Sequence, residues 1–263
     1  MSEQSLPYTI TFLGTGGARF MTISQLLASG GIWLSLGGTE ILLDPGPGSI
    51  VQATRRRLHP EKLKAIIVSH RHRDHAADVN IMVEAMTQGG HRRGGRLFAP
   101  RDAIEDEPVI FNYLRQRLEK VDILTEGGSY HVDGVTFSTP VRHVHPVETY
   151  GLKFEAGGHH LAYIADTRYF EGLIEHYACE LVIVNLVFLE RRNPSDHPGM
   201  PLDHLAVPDV EHLLRGIRPR LAVLTHNVLA ALKRLALPAE LLRARPKRLR
   251  FLIFQTPAKL VHH

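Results

Sequence analysis

Short apolar runs punctuated by glycine dominate the chain, and most of them read as strands. Tyr8 to Leu13 is apolar and β-favouring and runs into Gly14-Thr15-Gly16-Gly17, the pattern of a strand entering a tight turn. Ile32 to Leu36 and Glu40 to Leu43 flank Gly37-Gly38, which predicts a β-hairpin closed by two residues. Pro47 to Leu58 has a helical pattern, Ala65 to Val68 reads as a buried strand of a parallel or mixed sheet, and Ala76 to Met86 has apolar positions at helical spacing. Strand followed by helix, twice over, predicts α/β layers. Gln88 to Arg96 reads as a glycine- and arginine-rich loop, Leu97 to Ala99 as a short strand and Pro108 to Leu118 as a helix.

The middle of the chain turns β-rich. Ser129 to Val132 and Val135 to Ser138 surround Asp133-Gly134, while Tyr150 to Glu155 and His160 to Ile164 surround Gly157-Gly158, two strong hairpin signals. Leu181 to Val187 predicts another strand, Arg191 to Pro201 a proline-rich loop, Val207 to Arg215 a helix and Leu221 to Leu224 a last strand. No linker, repeat or low-complexity segment divides these elements, so residues 1–263 are expected to form one domain.

Composition narrows the class. Hydrophobic residues make up 44% and charged residues 22%, a balance that excludes coiled coil and wholesale disorder. No apolar run approaches the roughly 20 residues needed to cross a bilayer, and Met-Ser-Glu-Gln-Ser lacks the basic-then-apolar order of a signal peptide. A cytoplasmic protein without membrane contact is therefore expected. The single cysteine, Cys179, makes no internal disulfide or thiolate zinc cluster and reads as a small apolar residue. Charge is uneven: residues 231–263 hold eight basic residues against Glu240 alone. Such a segment attracts an anionic substrate, a nucleic acid or an acidic partner, or it forms a solvated face. Histidine is the anomaly, with 17 of 263 residues, and imidazole is the commonest metal ligand.

The candidate chemistry sits directly after the strand Ala65 to Val68, in Ser69-His70-Arg71-His72-Arg73-Asp74-His75. Side chains on extended backbone repeat every two residues, so His70 and His72 face one way and can share a metal ion. Asp74 and His75 follow where a helix should start and can project toward a second ion.

That run resembles the His-x-His-x-Asp-His hallmark of the metallo-β-lactamase superfamily, and the resemblance spans nearly the whole chain. It implies an α/β fold of two mixed β-sheets in an αβ/βα four-layer sandwich. Asp44, closing the strand Ile41 to Leu43, matches the family's supporting aspartate. His145, ahead of Gly151-Leu152-Lys153-Phe154, matches the third histidine ligand, with His143 two residues earlier as the rival or a nearby supporting polar group. Asp166, before Thr167, matches the bridging carboxylate, and His226 matches the last ligand. The implied site has His70, His72 and His145 on one ion, Asp74, His75 and His226 on the other, and Asp166 between them. Donors without sulfur suit Zn²⁺, with Mn²⁺ or Fe²⁺ as alternatives. A hydroxide between two such cations is a nucleophile at neutral pH, so the resemblance implies a dinuclear metal-dependent hydrolase.

Within the superfamily, Phe12-Leu13-Gly14-Thr15-Gly16-Gly17-Ala18 is similar to the start of the RNase Z and phosphonate-pathway cyclic phosphodiesterase branch. In that branch a histidine at the position of His204 is a general acid, so His204 and Asp74 are the catalytic candidates. Asp203, Asp196 or Asp209 could hold His204 charged. The chain departs from its relatives in having no cysteine before Cys179 and no His-Glu-Ala-Thr segment. A small anionic phosphate ester is the expected substrate, and a nucleic acid could contact the 88–96 loop or the basic segment. Arg168 and Asn227 are candidate anion contacts, and the resemblance also implies a homodimer. Two alternatives remain open: a carbonyl-ester hydrolase (lactonase, thioesterase or β-lactamase-like), and a basic nucleic-acid-binding module with structural metals.

Overall fold

The computed structural model describes residues 8–16, 22–23, 28–191 and 203–225. Among them two six-stranded sheets follow the chain in order. The first holds β1 (Tyr8–Phe12), β2 (Ile32–Leu36), β3 (Thr39–Leu43), β4 (Leu63–Ile67), β5 (Arg96–Pro100) and β6 (Lys120–Leu124). The second holds β7 (Gly128–Val132), β8 (Val135–Thr139), β9 (Leu152–Ala156), β10 (His159–Ile164), β11 (Leu181–Asn185) and β12 (Leu221–Thr225). Each sheet is an antiparallel meander that becomes parallel halfway: β1 to β3 pair antiparallel and β3 to β6 parallel, as β7 to β10 and then β10 to β12 do. The turn between β2 and β3 needs glycine, because Gly37 and Gly38 have φ of 58° and 90°, the positive values of a tight hairpin.

Helices cover both outer faces. On the first sheet lie α1 (Ser49–Arg55), α2 (Arg73–Ala76), α3 (Val79–Met86) and α4 (Asn112–Arg115); on the second lie α5 (Gly172–His176) and α6 (Val207–Ile217). The inner faces pack on each other through Ile41, Ile67 and Phe98 from one sheet and Phe137, Leu152 and Tyr163 from the other. Outer layers built on Trp33 and Met82, and on Tyr177 and Leu213, complete the αβ/βα sandwich. No helix among the described residues is long and apolar enough to cross a membrane.

The structure adds the short helix α5, which no sequence pattern announced, and three further departures each have a hydrogen-bonding reason. The helix expected over 76–86 is split, because the amide of Asp78 bonds Pro45 O at 2.9 Å while its carboxylate accepts Ile50 N at 3.1 Å. The helix expected over 108–118 shrinks to α4, since Val109 N bonds Ala103 O and Phe111 N bonds Asn80 Oδ1, both at 2.9 Å. Strand β6, absent from the expected elements, is an edge strand whose Asp122 holds Arg96 Nη2 at 2.6 Å. The 192–201 part of the proline-rich loop, the 231–263 basic segment, Asp196, His226 and Asn227 lie outside the described residues.

Candidate metal centre

Parallel strands present their C-terminal ends at one rim, and the polar residues gather there. Asp44 follows β3, Ser69 and His70 follow β4, Asp166 follows β10, and Asn185 and Thr225 close β11 and β12. The loop 88–96 precedes β5, which runs parallel to β4, and so lies at the opposite rim.

Donor atoms of His70, His72, His145 and Asp166 all lie within 4.8 Å of one another. The expected alternation along 70–72 is present: Arg71 points away, its Nε bonding Asp102 Oδ2 at 2.9 Å. His145 Nε2 is 3.1 Å from His72 Nδ1. Bonds of about 2.0–2.1 Å to one tetrahedral cation would set such nitrogens roughly 3.3 Å apart. Asp166 Oδ2 is faced by three further imidazole nitrogens, at 3.5 Å from His75 Nε2, 3.7 Å from His70 Nε2 and 3.5 Å from His204 Nδ1. Asp74 Oδ2 stands 3.9 Å from His75 Nε2.

Surrounding hydrogen bonds fix which nitrogen each ring turns to this centre. Asp44, at φ 50°, accepts Ser69 N at 2.6 Å, Ser69 Oγ at 2.7 Å and His75 Nδ1 at 2.9 Å. The Ser69 hydroxyl, having donated to Asp44, accepts His70 Nδ1 at 3.0 Å. His145 Nδ1 donates to the carbonyl of Asp203 at 3.1 Å. The rings of His70, His75 and His145 therefore carry their protons outward and direct the other nitrogen inward, as ligand histidines do. His70 Nε2 is fully buried with no hydrogen-bond partner among the described residues, a costly arrangement for a polar atom unless a cation meets it. The donor set fits a metal.

Burial, and next the neighbouring His75, push His70 well below the usual imidazole range. Burial and then His145 push His72 down to about 4. Both rings are neutral at pH 7, with lone pairs available. At His75 burial opposes charge, but the carboxylates of Asp166, Asp44 and Asp74 outweigh it and raise the ring above the usual range.

His143 sits apart from the cluster. Its Nε2 meets Tyr177 OH at 2.8 Å and its Nδ1 meets the backbone carbonyl of Asp166 at 3.3 Å, and burial lowers its pKa to about 4. His143 and His145 diverge because the segment between them is irregular, with only the isolated bridge of Arg142 to Tyr150 nearby. Asp203 meets His145 through its carbonyl, and Asp209 binds Ala206 N at 2.9 Å and Arg191 Nε at 2.6 Å. Sequence reasoning missed Ser69, Tyr163 and Asn185. Asn185 donates to Asp166 Oδ1 and to Tyr163 OH, both at 3.1 Å, and Tyr163 OH donates to Asp44 Oδ2 at 2.7 Å. A polar side chain ending the otherwise apolar run 181–184 was the available signal.

The profile described as "Beta-lactamase superfamily domain" matches residues 39–227. The uncharacterized protein MJ1374 of Methanocaldococcus jannaschii is 31% identical over 227 residues, 82% of each chain. A ribonuclease Z of Kineococcus radiotolerans is 32% identical over 99 residues, which cover 38% of this chain and 31% of that one. Among solved structures, the metallo-beta-lactamase fold protein YhfI of Bacillus subtilis superposes with a TM-score of 0.68 at 19% identity, covering 87% of this chain and 91% of that one.

Proposed function

The chain belongs to the beta-lactamase superfamily as a metallo-hydrolase, and from that premise we propose that it is a dinuclear phosphodiesterase with His204 as general acid. The observation that carries the reading is Asp166 Oδ2, which stands 3.5–3.7 Å from ring nitrogens of His70, His75 and His204 at once. His70, His72 and His145 would hold one ion, Asp74, His75 and His226 the other, and Asp166 would reach both. Nitrogen and oxygen donors without sulfur suit Zn²⁺. When bound, such a pair supplies a water of lowered pKa and neutralises charge developing on the attacked centre.

The chain's own groups do the rest. Ser69 and Asp44 orient His70 and His75, and the Asp203 carbonyl orients His145. Hydrolysis of a diester forms one P–O bond from water and breaks the ester P–O bond. The leaving alkoxide needs a proton, which His204 delivers from the ring facing Asp166; the proton lost by water restores that ring. The likeness to a ribonuclease Z, an enzyme named for a phosphodiester polymer, favours phosphorus over carbonyl as the attacked atom.

The test is a turnover panel of bis(p-nitrophenyl) phosphate, a cyclic nucleotide, a lactone, a thioester and a cephalosporin, with metal analysis. Diester cleavage is expected, falling about 10²- to 10⁴-fold in His204→Ala with metal content unchanged. Cleavage of the lactone or thioester alone would overturn the phosphodiesterase reading.

A further inference from the structure

Beside the metal centre, a hollow of about 360 Å³ is lined by Arg168, Tyr169, Phe188, Arg191, His204 and Asp209. His204 belongs to both places: its Nδ1 faces Asp166 Oδ2 at 3.5 Å, and its ring meets the edge of Phe188 with centroids 5.7 Å apart. A group filling the hollow is thus joined to the atoms at the centre within one side chain's width.

The walls are set by backbone bonds. Phe188 is held through Phe188 N to Leu205 O at 3.2 Å and Val207 N to Phe188 O at 3.0 Å. Arg168 N bonds Val144 O at 3.1 Å, which places Arg168 and Tyr169 on the turn leaving Asp166. Asp209 neutralises Arg191 at 2.6 Å and caps α6 with its other oxygen. Among the described residues no carboxylate pairs with the Arg168 guanidinium, so the hollow keeps a cation available. The Tyr169 hydroxyl is occupied by Glu171 Oε2 at 3.0 Å, which leaves the ring as that residue's contribution.

Two aromatic rings, one compensated and one uncompensated guanidinium, and a direct route to the centre suit a flat ring carrying an anionic ester. We infer that this hollow is the subsite for the aryl or nucleobase half of a phosphate ester, with Tyr169 and Phe188 contacting the ring and Arg168 the anion. The inference rests on the proposed phosphate chemistry and names its substrate class.

Binding to the metal-loaded protein tests it without requiring turnover. Calorimetry with phenyl phosphate and methyl phosphate isolates the ring, because both ligands present the same phosphoryl oxygens. Wild type is expected to bind phenyl phosphate about ten-fold more tightly, the scale of one ring stacked on an aromatic side chain. Phe188→Leu and Tyr169→Leu, which retain apolar volume, should each erase most of that preference while methyl phosphate binding holds. Arg168→Ala should weaken both ligands alike. Equal affinity of wild type for the two phosphates, or an unchanged preference in both leucine variants, would overturn the subsite. Failure to bind either phosphate would sink the phosphate reading and the subsite with it; binding methyl phosphate as well as phenyl phosphate would sink the subsite alone.

Discussion

The hydroxyl of Tyr163 donates to Oδ2 of Asp44 across 2.7 Å and so ties the second sheet to the first beneath the metal centre. Tyr163 lies on β10 and Asp44 follows β3, and both are buried. The same oxygen accepts Ser69 Oγ and His75 Nδ1, so one carboxylate orients side chains from three segments. Replacing it with an amide puts a donor where only acceptors fit. Asp44→Asn is expected to lower metal affinity about 10- to 100-fold, measured by chelator competition, with a smaller loss in Tyr163→Phe. Wild-type affinity in Asp44→Asn would mean that the histidines orient themselves.

Close approach of backbones locates a second sensitive position. A Cβ at Gly46 would stand 1.9 Å from the carbonyl oxygen of Asp74, inside the turn that carries His72 and His75. The turn must move to admit a methyl group. Gly46→Ala should therefore cost about 1–3 kcal/mol of stability by overpacking and reduce bound metal together with it. Gly134→Ala, where a Cβ would meet nothing within 4 Å, is the matched control and should stay within about 0.5 kcal/mol. Equal thermal shifts for the two variants would contradict the contact.

Metal removal should loosen the sandwich itself, because the donors come from both halves. His70 and His72 follow β4 of the first sheet, whereas His145 precedes β9 and Asp166 follows β10 of the second. A cation gripped by all four cross-links the sheets and stabilises the folded form by mass action, about 2.7 kcal/mol when free metal is 100-fold above Kd. Chelation should lower the melting temperature in proportion, and returning Zn²⁺ should restore it. A melting temperature indifferent to chelator, with metal loss verified, would show that the ion bridges nothing.

The sequence carried much of this arrangement and missed an identifiable part. Hairpins at Gly37-Gly38, Asp133-Gly134 and Gly157-Gly158 were legible because two-residue turns demand particular residues. The His70 to His75 run was legible because ligands close in sequence leave a local pattern. His145 and Asp166 required a family resemblance, since nothing local marks a lone histidine or a strand-end aspartate. Helix limits near Asp78 and Val109 were illegible because distant acceptors, Pro45 O and Ala103 O, capture those amides. Tyr163 and Asn185 escaped notice for a related reason: their roles are hydrogen bonds between strands far apart in the chain, and composition shows only a polar residue in an apolar run.

Asn185 offers the sharpest remaining test because every hydrogen of its amide is assigned. The Thr225 hydroxyl donates to Asn185 Oδ1, which leaves Nδ2 to serve Tyr163 OH and Asp166 Oδ1, both at 3.1 Å. Holding Oδ1 of Asp166 from behind leaves Oδ2 facing the imidazoles. Asn185→Asp is nearly isosteric but sets a second carboxylate against Asp166 and removes both donors, so repulsion turns Asp166 away from the cluster. Asn185→Ala removes the donors without adding charge. Metal affinity should fall in the order wild type, Asn185→Ala, Asn185→Asp, with the last at least about ten-fold below wild type, the lower end of what supporting residues contribute. Chelator competition gives the order directly, and circular dichroism confirms that each variant is folded. If Asn185→Asp bound metal as tightly as wild type, Asp166 would be held by its own loop, and the chain of hydrogen bonds from Thr225 to Asp44 would serve packing between the strands alone.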